Sequence, residues 1–206
     1  MECNYQMKAA TKPYSESCEQ NRDPILSVLK DVFSKVNKVL EIGSGTGQHA
    51  VYFGRHLPHL IWEPSDVEEN IPGIRLWLEE AQLANVLSPI VLHVTDTQWP
   101  EEVFDGIFSA NTAHIMSWSS VEAMFNGIER VLESGGLFCL YGPFNYHGNY
   151  TSESNARFDQ WLKMRDPNSG IRDFEALDKI AAEAGMTLDH DYEMPVNNRI
   201  LVWRKR

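Results

Sequence analysis

The sequence predicts an α/β fold: a mostly parallel sheet with helices on both faces and one antiparallel strand at its end. Three observations carry this. Short apolar runs alternate with helical stripes along most of the chain, the pattern of parallel strands joined by crossover helices. The first run, Val39, Leu40 and Ile42, passes straight into three glycines, Gly43, Gly45 and Gly47, and a helical pattern follows at once. The last two runs, about 187–193 and 198–204, flank Asn197-Asn198, a pair suited to a hairpin turn. The 206 residues read as a single domain, 1–206, long enough for a full core and without internal repeats.

The elements follow in order. Residues 1–19 are polar and irregular. A helix starts near Asn21-Arg-Asp-Pro24, with Pro24 in its first turn and a stripe of Ile25, Leu26, Val28, Leu29, Val32 and Phe33. Ala50, Val51, Phe53, Gly54 and Leu57 mark the helix after the glycines, ended by Leu57-Pro58. Leu60-Ile61-Trp62 is a second strand, cut by Pro64. Asp66 then caps a helix over about 67–84. Strands at 89–94 and 104–110 come next, then a helix from Ser119 with Val121, Met124, Phe125, Ile128, Val131 and Leu132. Gly135-Gly136 turns into the most apolar strand, 137–141. Helices at about 154–165 and 173–184 follow a polar, aromatic segment, and Gly185 ends the second of them.

Composition narrows the function. A hydrophobic fraction of 43% and a charged fraction of 23% are ordinary for a globular protein. A net charge of −11, with no basic run except Arg204-Lys205-Arg206, argues against a nucleic-acid surface. No apolar run reaches membrane-span length, and the N-terminus lacks the basic-then-apolar order of a signal peptide. Cys3, Cys18 and Cys139 read as reduced thiols in a cytoplasmic protein, and neither they nor the seven histidines show metal spacing, so no metal is expected.

The glycine turn is where a ligand belongs. Glycine admits positive φ and lets a ligand touch bare backbone, and the following helix offers unpaired N–H groups. No lysine follows, so it is not a Walker A loop, and its glycine spacing differs from the dinucleotide fingerprint. Glu41, two residues before the first glycine, suits a cationic ligand such as the amino or sulfonium group of S-adenosylmethionine. Glu41, Gly43, Ser44, Gly45, Gly47 and His49 are therefore the expected cofactor stretch.

In an open α/β sheet the ligand sits beyond the C-terminal strand ends, so residues there complete the site. Asp66, with Glu63 as the alternative, can accept the ribose hydroxyls. Val94 and Asp96 follow the third strand, where Asp96, or neutral His93, can accept the adenine N–H. Asn111 lies beside the cofactor, and His114, with its near-neutral pKa, is the candidate general base. Tyr141 opens a polar, aromatic segment through Tyr150 that suits a substrate pocket and is a second catalytic candidate. Asn21, Asn145, Tyr146 and Arg172 are the candidate substrate contacts, Arg172 for a carboxylate.

These stretches together resemble one group. Asn21-Arg-Asp-Pro-Ile25, Val39 through Ala50, Trp62-x-Pro-Ser-Asp66, Phe108 through Met116, Tyr141-Gly-Pro-Phe-Asn145, Thr151-Ser-Glu-Ser-Asn155 and Gly170-Ile-Arg-Asp-Phe174 are similar to the methyltransferase-like family catalogued as "domain of unknown function 938". The resemblance implies the Rossmann-like class I methyltransferase fold, with seven strands in the order 3-2-1-4-5-7-6, and S-adenosylmethionine as cofactor. It supplies no substrate. The chain departs from the family pattern at His93, which shifts weight to Asp96, and at Glu63, which favours Asp66 as the ribose ligand. The expected function is methyl transfer to a small molecule. The alternative is a module that binds S-adenosylmethionine or S-adenosylhomocysteine without turnover. An NAD-dependent oxidoreductase conflicts with the glycine spacing and with Glu41.

Overall fold

Strand and helix alternate from residue 16 onward in the computed structural model, which describes residues 11–206. In chain order the elements are α1 (Glu16–Val32), β1 (Lys38–Ile42), α2 (Gln48–His56), β2 (Ile61–Asp66), α3 (Ile71–Ala81), β3 (Ile90–Val91), β4 (Phe104–Ala110) and α4 (Trp118–Val131). They continue with β5 (Leu132–Gly142), β6 (Phe144–Asn145), α5 (Glu153–Arg165), β7 (Arg172–Asp173), α6 (Phe174–Glu183), β8 (Met186–Met194) and β9 (Asn198–Lys205). Seven strands form one sheet in the order β3-β2-β1-β4-β5-β9-β8, while β6 and β7 form a separate parallel pair. Because β6 and β7 stand apart, β8 and β9 are the sheet's sixth and seventh strands. The expected order 3-2-1-4-5-7-6 is the observed one, with β9 antiparallel to both neighbours.

Side chains alternate across the sheet and build two cores. Leu40, Ile107, Phe138, Leu140, Leu201 and Trp203 meet α4 and α6 on one face. Val39, Trp62, Phe108, Cys139, Ile200 and Val202 meet α1 and α2 on the other. Within the first core, Gly127 of α4 lies under Trp99, whose ring would stand 2.0 Å from an added Cβ. Alanine normally stabilises a helix interior over glycine by about 1 kcal/mol. Here Gly127→Ala should instead destabilise by roughly 1–3 kcal/mol, the usual cost of overpacking. A thermal melt showing an unchanged or raised Tm would refute that close approach.

Several boundaries differ from the sequence reading, each for a local reason. The irregular segment ends earlier than residue 19: Ser15 accepts from the Cys18 N–H and caps α1, so Pro24 sits inside the helix. Residues 1–10 of that segment, Cys3 included, lie outside the described residues. Pro64 does not cut β2. The backbone groups of Trp62 and Asp66 bond toward the β3 side, so by alternation the missing N–H of Pro64 faces that side too. Ladder pairing with β3 begins only at Ser65, so no bond is lost. Strand β3 shrinks to two residues, and α3 starts at Ile71 after Asn70, so Asp66 does not cap it. The β8–β9 turn centres on Val196 and Asn197, with φ of 60° and 58°, closed by the Asn198 N–H on the Pro195 carbonyl.

Candidate active site

The glycine turn is fixed from beneath. The amides of Gly43 and Ser44 both donate to the Ser65 carbonyl, at 3.0 and 2.9 Å. The Ser44 hydroxyl donates to Glu41 Oε2 at 2.9 Å and accepts from the Ser65 N–H at 3.1 Å. The Trp62 indole donates to the same Glu41 oxygen at 3.0 Å. Ser44 is thus part of the scaffold, with its hydroxyl facing inward rather than toward a cofactor. Glu41 is 2% exposed, and burial pushes its pKa up to about 7, offset in part by the bonds from Trp62 and Ser44.

The three glycines do three different jobs. All have positive φ: 74°, 58° and 89° for Gly43, Gly45 and Gly47. A Cβ on Gly43 would stand 2.5 Å from Thr112 Cγ2, so this glycine lets the loop after β4 close onto the turn. A Cβ on Gly47 would press on Ile74 of α3, so this one admits helix packing. A Cβ on Gly45 would meet nothing within 4 Å. That open space belongs to a recess of about 470 Å³ that Gly45 and Thr46 line together with Ser15, Cys18, Asn70 and Gly73.

Asp66 ends β2 beside the turn. Its Oδ2 accepts from the Gly45 N–H at 2.6 Å, and its Oδ1 accepts from the Val67 N–H at 2.8 Å and Asn70 Nδ2 at 2.9 Å. A carboxylate has about four acceptor positions, so one stays open while these bonds hold. Glu63 lies two residues from the strand's start, paired with Lys38 at 3.0 Å, which removes it from the C-terminal edge. After β3, Val94 is buried in the core, Asp96 is exposed, and His93 turns to the Thr95 hydroxyl at 2.7 Å.

His49 belongs to the scaffold, not to the recess. It is 5% exposed, stacked on Phe53, edge-on to Phe108, and its Nε2 lies 2.7 Å from Asn21 Oδ1. Burial drops its pKa to about 4, so the ring is neutral and ties α2 to α1.

A second cavity, of about 320 Å³, opens past the ends of β4 and β5. Asn21, Asn111, Tyr141, Asn155, Phe158 and Asn198 are among its lining residues. Asn111 adopts φ 59°, its N–H bonded to the Tyr141 carbonyl at 2.9 Å, next to the Thr112 that covers Gly43. The first turns of α1 stand between the two spaces: Ser15 and Cys18 line the recess, Ser17 and Asn21 the cavity. A recess of about 430 Å³ among Val36, Asn37 and Asp105 lies at the opposite, N-terminal strand ends, whereas ligands of open α/β sheets bind beyond the C-terminal ends.

Four expected substrate or catalytic residues fare unequally. Arg172 donates to the carbonyls of Ala113, Met116 and Asn168, so its guanidinium holds the 113–116 turn instead of a substrate carboxylate. The Tyr146 hydroxyl donates to Asp191 at 2.8 Å, and its ring stacks on Phe174, which directs it to the β8 side. His114 is 6% exposed and packs edge-on against Phe158, which lies between it and the cavity. Burial, helped by Arg172, lowers its pKa to about 4, poorly matched to a general base at neutral pH. Asn145 is buried, and its Oδ1 lacks a partner among the described residues. Thr112, Asn155, Phe158 and Asn198 were not singled out from the sequence. Thr112 and Asn155 carried a signal inside the Phe108–Met116 and Thr151–Asn155 stretches, and Asn198 stood in the expected hairpin turn; Phe158 carried none.

This sheet order, with a glycine turn after β1 and an acidic residue ending β2, defines a class: the Rossmann-like fold of class I S-adenosylmethionine-dependent methyltransferases. An O-methyltransferase family protein from Burkholderia thailandensis superposes with a TM-score of 0.79 at 13% identity, over 89% of this chain and 55% of its own. The chain belongs to the family described as "Protein of unknown function (DUF938)", whose model matches residues 12–205. PigF, solved with SAH, gives a TM-score of 0.78 at 15% identity, over 91% of this chain and 56% of its own. Sterol methyltransferase-like 3 from Botryococcus braunii is 26% identical over 172 residues, covering 80% of this chain and 42% of that protein. The chain spans about half the length of these relatives.

Proposed function

We propose that the protein is an S-adenosylmethionine-dependent methyltransferase acting on a small molecule. One observation carries the reading: Gly45 holds a left-handed backbone under open space, between a buried carboxylate below and Asp66 beside it. The donor set fits this cofactor. Gly45 offers bare backbone to the recess, Asp66 has an acceptor position for a ribose hydroxyl, and Glu41 places negative charge beneath a cationic ligand. Asp96 remains the proposed adenine partner, with Val94 behind it. The cofactor, when bound, supplies a methyl group on a sulfonium that an in-line nucleophile can take. The chain's own part is then chiefly positioning, which is worth several kcal/mol without a dedicated base. Asn111 joins the turn to the cavity, and Tyr141 meets the acceptor there. The net charge of −11 keeps nucleic acid outside this reading, and the free thiols of Cys18 and Cys139 suit a cytoplasmic setting.

A binding module without turnover is the second reading, favoured by the position of His114 behind Phe158. Calorimetric titration tests the cofactor. S-adenosylmethionine or S-adenosylhomocysteine should bind, and NAD at least tenfold more weakly, about 1.4 kcal/mol. Preference for NAD would end the proposal.

A further inference from the structure

The cavity beside the glycine turn has walls that no charge reaches. Among the described residues its lining carries four asparagines, Tyr141, Phe158 and three prolines, and not one Asp, Glu, Lys, Arg or His. In a chain with 23% charged residues this is informative. Pro24, Pro143 and Pro195 contribute apolar, rigid walls with no N–H to satisfy. A charged ligand entering here would lose its hydration with no counter-charge to replace it.

The polar groups that remain have defined roles. The two amide hydrogens of Asn155 are taken by Thr151 Oγ1, at 2.9 Å, and the Asn197 carbonyl, at 3.2 Å. This fixes the amide's orientation from its network and leaves Oδ1 as the atom that can meet a ligand, as an acceptor. Tyr141 lines the same cavity, and its phenol hydroxyl can donate to or accept from a ligand there.

We propose that this cavity takes a small uncharged molecule with an apolar, ring-sized body, one polar group that hydrogen-bonds to the Tyr141 hydroxyl, and one O–H or N–H that donates to Asn155. As an account of the methyl acceptor it rests on the methyltransferase reading above; as an account of what the cavity binds it does not. The volume of about 320 Å³ is on the order of ten water volumes, room for one substituted ring or a compact bicycle.

Three matched probes test this: 4-hydroxyacetophenone (neutral), 4-hydroxybenzoate (anionic) and tyramine (cationic). Each is titrated into the full chain at pH 7.5 by ligand-observed NMR, with and without S-adenosylhomocysteine. The neutral probe should bind at least tenfold more tightly than either charged one. Tyr141→Phe should weaken it roughly fivefold, the worth of one hydrogen bond. Asn155→Asp, which places a carboxylate in the wall, should shift preference toward tyramine. Equal or tighter binding of a charged probe, no binding of the neutral one, or indifference of its affinity to both variants in folded protein would overturn the proposal. The cofactor reading is tested separately by calorimetry at the glycine turn. Loss of cofactor binding with neutral-probe selectivity intact would sink that reading and leave this one standing.

Discussion

Gly45→Val should lose at least 100-fold in cofactor affinity, about 2.7 kcal/mol, while the protein still folds. The Val side chain would project into the space above the turn, where no protein atom lies within 4 Å. Folding should suffer only from the left-handed backbone, a cost of roughly 1–2 kcal/mol. Gly43 gives the contrast. Gly43→Ala drives a methyl into Thr112, so it should damage folding first, and Thr112→Ser, which removes Cγ2, should restore part of the stability. Circular dichroism melts and calorimetry on Gly45→Val, Gly43→Ala and the Gly43→Ala, Thr112→Ser double variant separate the cases. Undiminished binding in folded Gly45→Val would take the turn out of the site. A Gly43→Ala protein as stable as its parent would show that Thr112 does not press on the turn.

The second large effect belongs to Glu41, through pH. Its carboxyl rises from an ordinary 4.5 to about 7 in the folded chain because it is buried. The folded state therefore holds more protons than the unfolded state between these values. The stabilisation from the protonated form is complete below about 4.5 and is lost as pH rises through 7. The span amounts to on the order of 3 kcal/mol. Glu41→Gln keeps an acceptor for Ser44 and Trp62 but cannot ionise. It should match the parent at pH 4.5 and exceed it by about 3 kcal/mol at pH 9. A cationic ligand selects the ionised carboxylate, so affinity for S-adenosylmethionine should climb with pH around 7 and release a proton, and the Gln variant should lose that slope. Identical pH profiles for the two proteins would remove Glu41 from both roles.

Much of this architecture was legible in the residues. Strand–helix alternation and the closing hairpin were legible because apolar period and turn chemistry are local properties; the strand order came from the family resemblance. The placing of the glycine turn and Asp66 at neighbouring strand ends was legible for the same reason, and the structure has Asp66 bonded to the Gly45 amide there. What was not legible is which way a polar side chain faces. Ser44, His49, Tyr146 and Arg172 carry the right chemistry at the right positions, yet each turns inward to carbonyls, carboxylates or amides that come from distant parts of the chain. Asn155 and Phe158 reach the cavity only because α5 docks against His114 and the β8–β9 turn, a long-range outcome that no short motif records. Pro64 misled because its effect depends on which edge of β2 it faces.

The segment ahead of α1 also sets the terms of ligand exchange. Residues 12–15 lie across the glycine turn's rim, fastened by a Lys12–Glu80 ion pair, the Trp77 indole on the Pro13 carbonyl at 2.7 Å, and the Ser15 N–H on Gln48. Among the described residues the Ser15 carbonyl also accepts from Gln48 Nε2 at 3.3 Å, and the Lys12 ammonium lies 3.8 Å over the Trp77 ring. On the methyltransferase reading, a ligand leaving the turn has to lift this strap. Because the strap runs straight into α1, whose Ser17 and Asn21 wall the neighbouring cavity, what loosens one space loosens the other.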